Sequence, residues 1–364
     1  MSPSLERRIA RTIRQDVTSS AGYAIQPSAG MVKLDAMENP FGLPPALRRA
    51  LGERLAAVAL NRYPINKGEV AAALAQHFEV PAGCKLIVGN GSDELIDLLS
   101  VACHDPAKPP ATVLAPLPGF VMYEMSARLR GLNFVGVPLT ASFELDEAAM
   151  VAAIERHRPA LTYIAYPNNP TGNLFDERIV QAVVDAVGAQ DGLVVFDEAY
   201  QPFSSRTWMP KLVQHDHVLV LRTLSKFGLA GVRMGYLAGA AALVEQIDKV
   251  SPPYNVSALN AAATLFALEH AEVFGEQAAV LRRERARLID ELMGLPGVAV
   301  FPSEANMLLV RVPDSKRAFE GMKQRRVLVK HIAGLHPLLA HCLRLTVGTP
   351  EENTLMIQAL KESL

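Results

Sequence analysis

Apolar and polar positions set two different periods along this chain. Past Pro44, the run PALRRALGERLAAVA places its apolar residues at helical intervals, and KGEVAAALAQHF repeats that spacing after the turn-like NRYPIN. Two amphipathic helices are predicted, with a loop between them that carries Tyr63. Short apolar runs bounded by turn residues come next: KLIVG, ATVLAP, LNFVGVPL, ALTYIAYP, GLVVFDEAY, HVLVLRT and GYLAG. Most are followed by a helical pattern, and this alternation predicts an α/β domain whose largely parallel sheet is covered by helices on both faces. Residues 21–45, rich in Gly, Pro and Ser, read as an irregular arm that crosses another part of the chain. After SPPYNVS a helical stretch runs to LRRERARLIDELMG, and the charges around Glu284 to Leu288 read as a solvated face. GVAVFPSEANMLLVRV, RRVLVK and CLRLTVG then predict a few strands with helices on them, a smaller α+β domain. The expected organisation is an arm over 1–45 that partly packs on the small domain, a large domain over 46–250, and a connecting helix plus small domain over 251–364.

Composition narrows the function. A length of 364 residues suits about two domains, and half of the residues are hydrophobic. Thirty-six Lys and Arg against 37 Asp and Glu leave a net charge of -1, which removes the broad positive surface of a nucleic-acid binder. Cys84, Cys103 and Cys342 form no CxxC, so neither a zinc site nor a disulfide framework is expected, and a reducing cytoplasm fits. No membrane association is expected, since no run reaches the ~18 apolar residues of a spanning helix and the N-terminus lacks a signal-peptide core. His331, His336 and His341 fall five residues apart in a Gly/Pro-containing loop, off any common helix face, so no metal site is expected.

Chemistry is sought at the carboxyl ends of strands, where open α/β sheets gather their ligands. After KLIVG the chain breaks at Gly89-Asn90-Gly91 and a helix is predicted from Ser92-Asp93, a helix start suited to an anion. A dinucleotide fingerprint would need another Gly where Glu94 stands. YIAYPNNPTG holds Asn168 and Asn169 in a proline-rich turn at the sheet edge. LVVFDEAY runs four apolar residues straight into Asp197, Glu198 and Tyr200, and a carboxylate there must meet a cation or cap a turn. In VLVLRTLSKFGLAGVRMGY, Lys226 follows a strand among Ser225, Gly228, Gly231 and Arg233. Each segment alone has an ordinary structural reading. Together they differ, because Asn169, Asp197 and Lys226 are spaced by 28 and 29 residues, one strand-helix unit each, and can face one crevice. A Lys, a buried Asp, an Asn, a Tyr and an anion-binding helix start match the needs of pyridoxal phosphate: Schiff-base formation, a partner for the pyridinium nitrogen, and a phosphate seat.

GNGSDE, YPNNPTG, DEAY, TLSK and GLAGVRMGY, in this order, resemble the fold-type I aminotransferases that use pyridoxal 5'-phosphate, over nearly the whole chain. LDAMENPFGLP, NRYP and CLRLTVGTPEEN resemble the histidinol-phosphate aminotransferase family within that group. The resemblance implies that Lys226 binds the cofactor and then shuttles the proton, that Asp197 pairs with the pyridine nitrogen, and that Asn169 and Tyr200 bond the ring oxygen. It implies that Phe120 stacks on the ring and that Gly91, Ser92, Asp93, Ser225 and Arg233 surround the cofactor phosphate. Tyr63 is implied to reach the phosphate of a neighbouring subunit, making a homodimer with shared sites. For substrate, the resemblance implies Arg344 as the receptor for the glutamate α-carboxylate and the histidinol phosphate group, with Tyr23 and Lys330 as further phosphate contacts and Asn169 nearby. Lys330 stands where the family commonly has Arg. The implied reaction is ping-pong transfer, through pyridoxamine phosphate, from L-histidinol phosphate to 2-oxoglutarate, giving imidazole-acetol phosphate and L-glutamate in histidine biosynthesis.

Two enzyme alternatives share this architecture, an aromatic-amino-acid aminotransferase and a threonine-phosphate decarboxylase. A third, of another class, is a pyridoxal-phosphate-binding regulator. The arm holds no helix-turn-helix pattern and leaves little room for a DNA-binding module.

Overall fold

The computed structural model describes residues 2–19 and 26–364. Among these residues thirteen strands follow in chain order: β1 (Val32–Lys33), β2 (Cys84–Gly89), β3 (Thr112–Leu117), β4 (Asn133–Pro138), β5 (Leu161–Ala165), β6 (Leu193–Asp197), β7 (Val218–Thr223), β8 (Gly235–Ala240), β9 (Ala299–Val300), β10 (Met307–Arg311), β11 (Val327–Leu328), β12 (Lys330–His331) and β13 (Cys342–Thr346). The seven apolar runs singled out in the sequence are β2 to β8. They form one sheet in the order β2-β8-β7-β6-β5-β3-β4. β8 is antiparallel to both neighbours, and the remaining pairs are parallel. β5 and β7 are buried at every position. Helices cover both faces, which is why these strands read as continuous apolar runs without alternation.

Register decides where the chemistry sits. Asp197 at the end of β6 pairs with Ala165 of β5 and Leu221 of β7. Gly235 at the start of β8 pairs with Thr223 of β7 and with Gly89 of β2. Four strand ends therefore open at one rim of the sheet, and the loops that follow them share a crevice. β5 lies inside the sheet between β6 and β3, so Asn168 and Asn169 stand at a strand end and not at a sheet edge.

A second, antiparallel sheet has the order β12-β13-β10-β9, with its own apolar core beneath the helices Ala271–Met293, Ser315–Gln324 and Pro350–Lys361. Over residues 26–44 the arm is irregular apart from β1, which pairs in parallel with β11. Leu34 N–H continues that pairing by donating to the Leu328 carbonyl at 2.8 Å. Two residues are too few to show a period. The first part of the 1–45 segment holds a helix, Pro3–Thr12, started by the Ser2 side chain. The long helical stretch after SPPYNVS is two helices, Ala258–Glu269 and Ala271–Met293, divided at His270.

One surface reading is corrected. Glu284 and Leu288 are buried. Asn353, from the C-terminal helix, donates Nδ2 to Glu284 Oε2 at 2.8 Å, and Arg287 bonds both carboxylate oxygens. A carboxylate satisfied from two elements can be covered without leaving a charge alone.

Candidate active site

The crevice at the sheet rim spans about 580 Å³, part of it open to solvent, and is lined by residues of the four strand-end segments. One end of it is built from backbone. β2 ends at Gly89, and Gly91 caps the helix Ser92–Ala102 with φ 83°, a left-handed conformation suited to glycine. The helix therefore presents its free N–H groups and positive dipole end to the crevice. Arg233 closes the same end. Its guanidinium donates to Asp93 Oδ2 at 3.2 Å and to Ser225 Oγ at 3.4 Å, while Thr223 Oγ1 donates to Ser225 Oγ at 2.9 Å. A Cβ at Gly91 would stand 2.6 Å from the Arg233 guanidinium, and one at Gly235 would stand 2.8 Å from the Ser92 nitrogen. Glycine at both positions leaves the cup open.

The middle of the crevice holds Asp197, which is buried. Its Oδ2 accepts from the Tyr123 hydroxyl at 2.7 Å and its Oδ1 from the Ala199 N–H at 3.1 Å. Burial raises the Asp197 carboxyl pKa to about 6 despite those two donors, with Asp93 and Glu198 adding in the same direction. Glu198 faces away from the crevice. It meets Arg222 at 2.8 Å in a buried ion pair that Thr207 and the Trp208 N–H complete. The DEAY segment thus does both things open to it: one carboxylate caps a turn, the other finds a cation.

Lys226 sits in the turn after β7 and reaches back to the arm, where Nζ donates to the Ala36 carbonyl at 2.9 Å. Desolvation, followed by the nearby Arg344 charge, lowers its pKa to about 8. Arg344 comes from β13 in the second sheet. It donates Nη1 to Asn169 Oδ1 at 2.8 Å and Nη2 to the Asp35 carbonyl at 2.9 Å. Two consecutive arm carbonyls thereby meet the two cations. The backbone turns at Met37, with φ 52°, and the Met37 N–H and carbonyl are held by Thr346 Oγ1 and Asn306 Nδ2 at 3.1 and 3.0 Å.

Of the residues selected from the sequence, Ser92, Asp93, Phe120, Asn169, Asp197, Tyr200, Ser225, Lys226 and Arg233 line this one cavity, with Gly91 against Arg233. Arg344 joins through Asn169. Lys330 is its cross-strand partner in register, so both project from one face of the sheet. Tyr63 is apart from the cavity: it is 75% exposed and stacked on Tyr254 at 4.5 Å. Tyr23 lies outside the described residues. His331 and His336 take local roles, one bonded to Ser315 Oγ and the other accepting from the Leu338 N–H.

Residues 29–360 match the family model described as aminotransferase class I and II. The chain belongs to this family. The histidinol-phosphate aminotransferase of Methylibium petroleiphilum is 67% identical over 99% of this chain and 96% of its own length. That of Paracidovorax citrulli is 60% identical over the whole of both chains. Among solved structures, the histidinol-phosphate aminotransferase from Sinorhizobium meliloti in complex with pyridoxal-5'-phosphate superposes with a TM-score of 0.77 at 26% identity, covering 91% of this chain and 90% of that one.

Sequence reasoning missed four contributors to this aminotransferase site. Tyr123 lies three residues past Phe120 and so shares its helix face, a spacing visible in GFVMY. Met37, Ala36 and Asp35 come from the arm, and the last two act through backbone carbonyls, which no side-chain motif marks.

Proposed function

We propose that this aminotransferase moves the amino group of L-histidinol phosphate to 2-oxoglutarate, giving imidazole-acetol phosphate and L-glutamate, with pyridoxal 5'-phosphate as cofactor. The observation that carries the reading is the convergence of Lys226, Asp197 and an anion cup in one cavity, with Arg344 at its far side. The residues fit the cofactor. The glycine-lined cup at Gly91 and Gly235, with Ser92, Ser225 and Arg233, would hold its phosphate, Phe120 would cover the ring, and Asp197 would face the ring nitrogen. When bound, pyridoxal phosphate supplies a carbonyl carbon that accepts the amino group and a protonated ring that withdraws electrons.

The chain's own residues do the rest. Lys226 Nζ takes the proton from the substrate Cα, and its lowered pKa leaves part of the amine neutral at physiological pH. Asp197 holds the proton on the ring nitrogen. Asn169 spends its Oδ1 on Arg344, which leaves its Nδ2 to donate into the cavity beside Tyr200. Arg344 receives the substrate anion, a carboxylate in one half-reaction and a phosphate in the other, with Lys330 adding charge on the same sheet face and Tyr23 from the arm as a further phosphate contact. Replacing Arg344 by Lys keeps the charge and loses the fork. kcat/KM is expected to fall about 10- to 100-fold for both histidinol phosphate and glutamate. A loss for one substrate only, in steady-state assays, would count against a shared receptor.

The same reading includes a homodimer. Leu60, Tyr63, Ile65, Tyr254 and Leu259 expose apolar surface on neighbouring segments, and Tyr63 is free of its own chain's cavity. A second copy covering that surface would bring Tyr63 to its partner's cofactor phosphate. Cofactor affinity is therefore expected to drop on dilution below the dimer dissociation constant, measured by fluorescence alongside sedimentation. Tight binding by a demonstrated monomer overturns it. The arm over 1–45, cofactor domain over 46–250 and small domain over 251–364 form the working division, and the enzyme is assigned to the cytoplasm. Among the described residues no helix is long and apolar enough to cross a membrane.

The deciding experiment adds histidinol phosphate, phenylalanine or threonine phosphate to the cofactor-loaded enzyme and follows conversion to the pyridoxamine form. Histidinol phosphate should react most readily, and carbon dioxide should not be released. Preference for phenylalanine would transfer the assignment to an aromatic-amino-acid aminotransferase.

A further inference from the structure

Tyr123 is buried and its hydroxyl donates to the buried carboxylate of the crevice, at 2.7 Å from Asp197 Oδ2. Its ring is fixed on two sides. Tyr163 from β5 stacks beneath it at 4.3 Å with planes 6° apart, and Phe120 meets its edge at 5.5 Å. Phe120 caps the helix Val121–Leu129 and Tyr123 sits three residues on, so the first turn of one helix carries both the residue that would cover the cofactor ring and the residue that holds Asp197. The Ala199 N–H binds the other carboxylate oxygen at 3.1 Å, which fixes the plane of the carboxylate.

We propose that Tyr123 is a positioning residue for the transamination: it orients the Asp197 carboxylate and keeps it ionised, so that Asp197 can hold the proton on the cofactor's ring nitrogen. This rests on the reading of Asp197 as that nitrogen's partner. The need for a donor follows from the surroundings. Asp197 is desolvated, and Asp93 on the neighbouring helix and Glu198 next in the chain both oppose a further negative charge. Tyr123 and the Ala199 N–H stabilise it. Tyr163 stacks on Tyr123, and Tyr200, Lys226 and Arg233 line the same cavity. A neutral hydroxyl can favour the anion without competing with the ring nitrogen for the proton, because burial and the adjacent carboxylate hold the Tyr123 pKa well above its usual value.

Three cofactor-loaded variants test this. Tyr123→Phe keeps the stack on Tyr163 and removes only the donor, so thermal unfolding should confirm an intact fold. Its kcat is expected to fall about 10- to 100-fold with little change in KM, the range for a hydrogen bond to a buried charge. The acid limb of its kcat/KM profile should move up by about 1 pH unit, one pH unit corresponding to a tenfold change. Tyr163→Phe is the control. Its hydroxyl is buried without a hydrogen-bond partner among the described residues, so the variant should keep the wild-type profile. An unmoved acid limb in Tyr123→Phe, or an equal shift in Tyr163→Phe, overturns the proposal. Asp197→Asn separates the two levels: wild-type turnover there removes the underlying reading, whereas an inactive Asp197→Asn with a wild-type Tyr123→Phe removes the role of Tyr123 alone.

Discussion

Lys226→Ala is expected to lose the covalent link to pyridoxal phosphate, so that borohydride no longer fixes the cofactor to the chain, and to lose turnover by about 10²- to 10⁴-fold from proton transfer alone. The physical case is that Lys226 supplies the only amine lining the crevice among the described residues. Asp197 is tied to Tyr123 and Ala199, and the guanidinium groups of Arg344 and Arg233 offer donors only. A pH dependence follows from the same side chain. Desolvation, then Arg344, places the Lys226 pKa at about 8, so the neutral, nucleophilic amine grows as pH rises from 7 to 9. The rate at which the cofactor-free enzyme takes up pyridoxal phosphate should rise over that interval and level off above it. A rate flat from pH 7 to 9, or a Lys226→Ala variant that turns over at the wild-type rate, would show that another group does this work.

How much of that site was legible depended on where its information is stored. β2 to β8 could be read because strands buried on both faces are apolar without interruption, and Asp197, Asn169 and Lys226 could be grouped because each closes such a run. Contacts made by backbone or by distant register were hidden. Ala36 and Asp35 meet Lys226 and Arg344 through carbonyls, and Lys330 stands beside Arg344 only because β12 pairs with β13. Glu284 looked solvated amid its charged neighbours until Asn353, from another helix, supplied its donor. Tyr123 carried no mark in the sequence, because an aromatic residue at i+3 in an apolar turn is ordinarily core. The hydroxyl is what makes it more, and its partner lies in a different strand-helix unit.

Asp197→Asn should lower turnover about 10²- to 10³-fold, the range for removing one preorganised electrostatic group from an active site. It should also erase a pH dependence of stability. In the cofactor-free chain the Asp197 pKa is raised from 3.8 to about 6, burial being the main cause. The folded state therefore binds this proton more tightly than the unfolded state does. Its contribution to stability is fully present below about pH 4 and is lost as pH rises through 6; about 2 units at 1.36 kcal/mol each give about 3 kcal/mol. Other carboxylates titrate in the same window, so the measured quantity is the difference between wild type and Asp197→Asn in denaturant unfolding from pH 4 to 7. Wild type should lose stability relative to the variant across that window. Pyridoxal phosphate should reverse the trend, since a protonated ring nitrogen beside Asp197 supplies the missing countercharge and makes ionisation favourable. Cofactor should then stabilise wild type more at pH 7 than at pH 4, and stabilise Asp197→Asn about equally at both. Parallel pH profiles for the two cofactor-free proteins would show that Asp197 is not held protonated in the empty crevice, and equal gains from cofactor would separate the carboxylate from the ring.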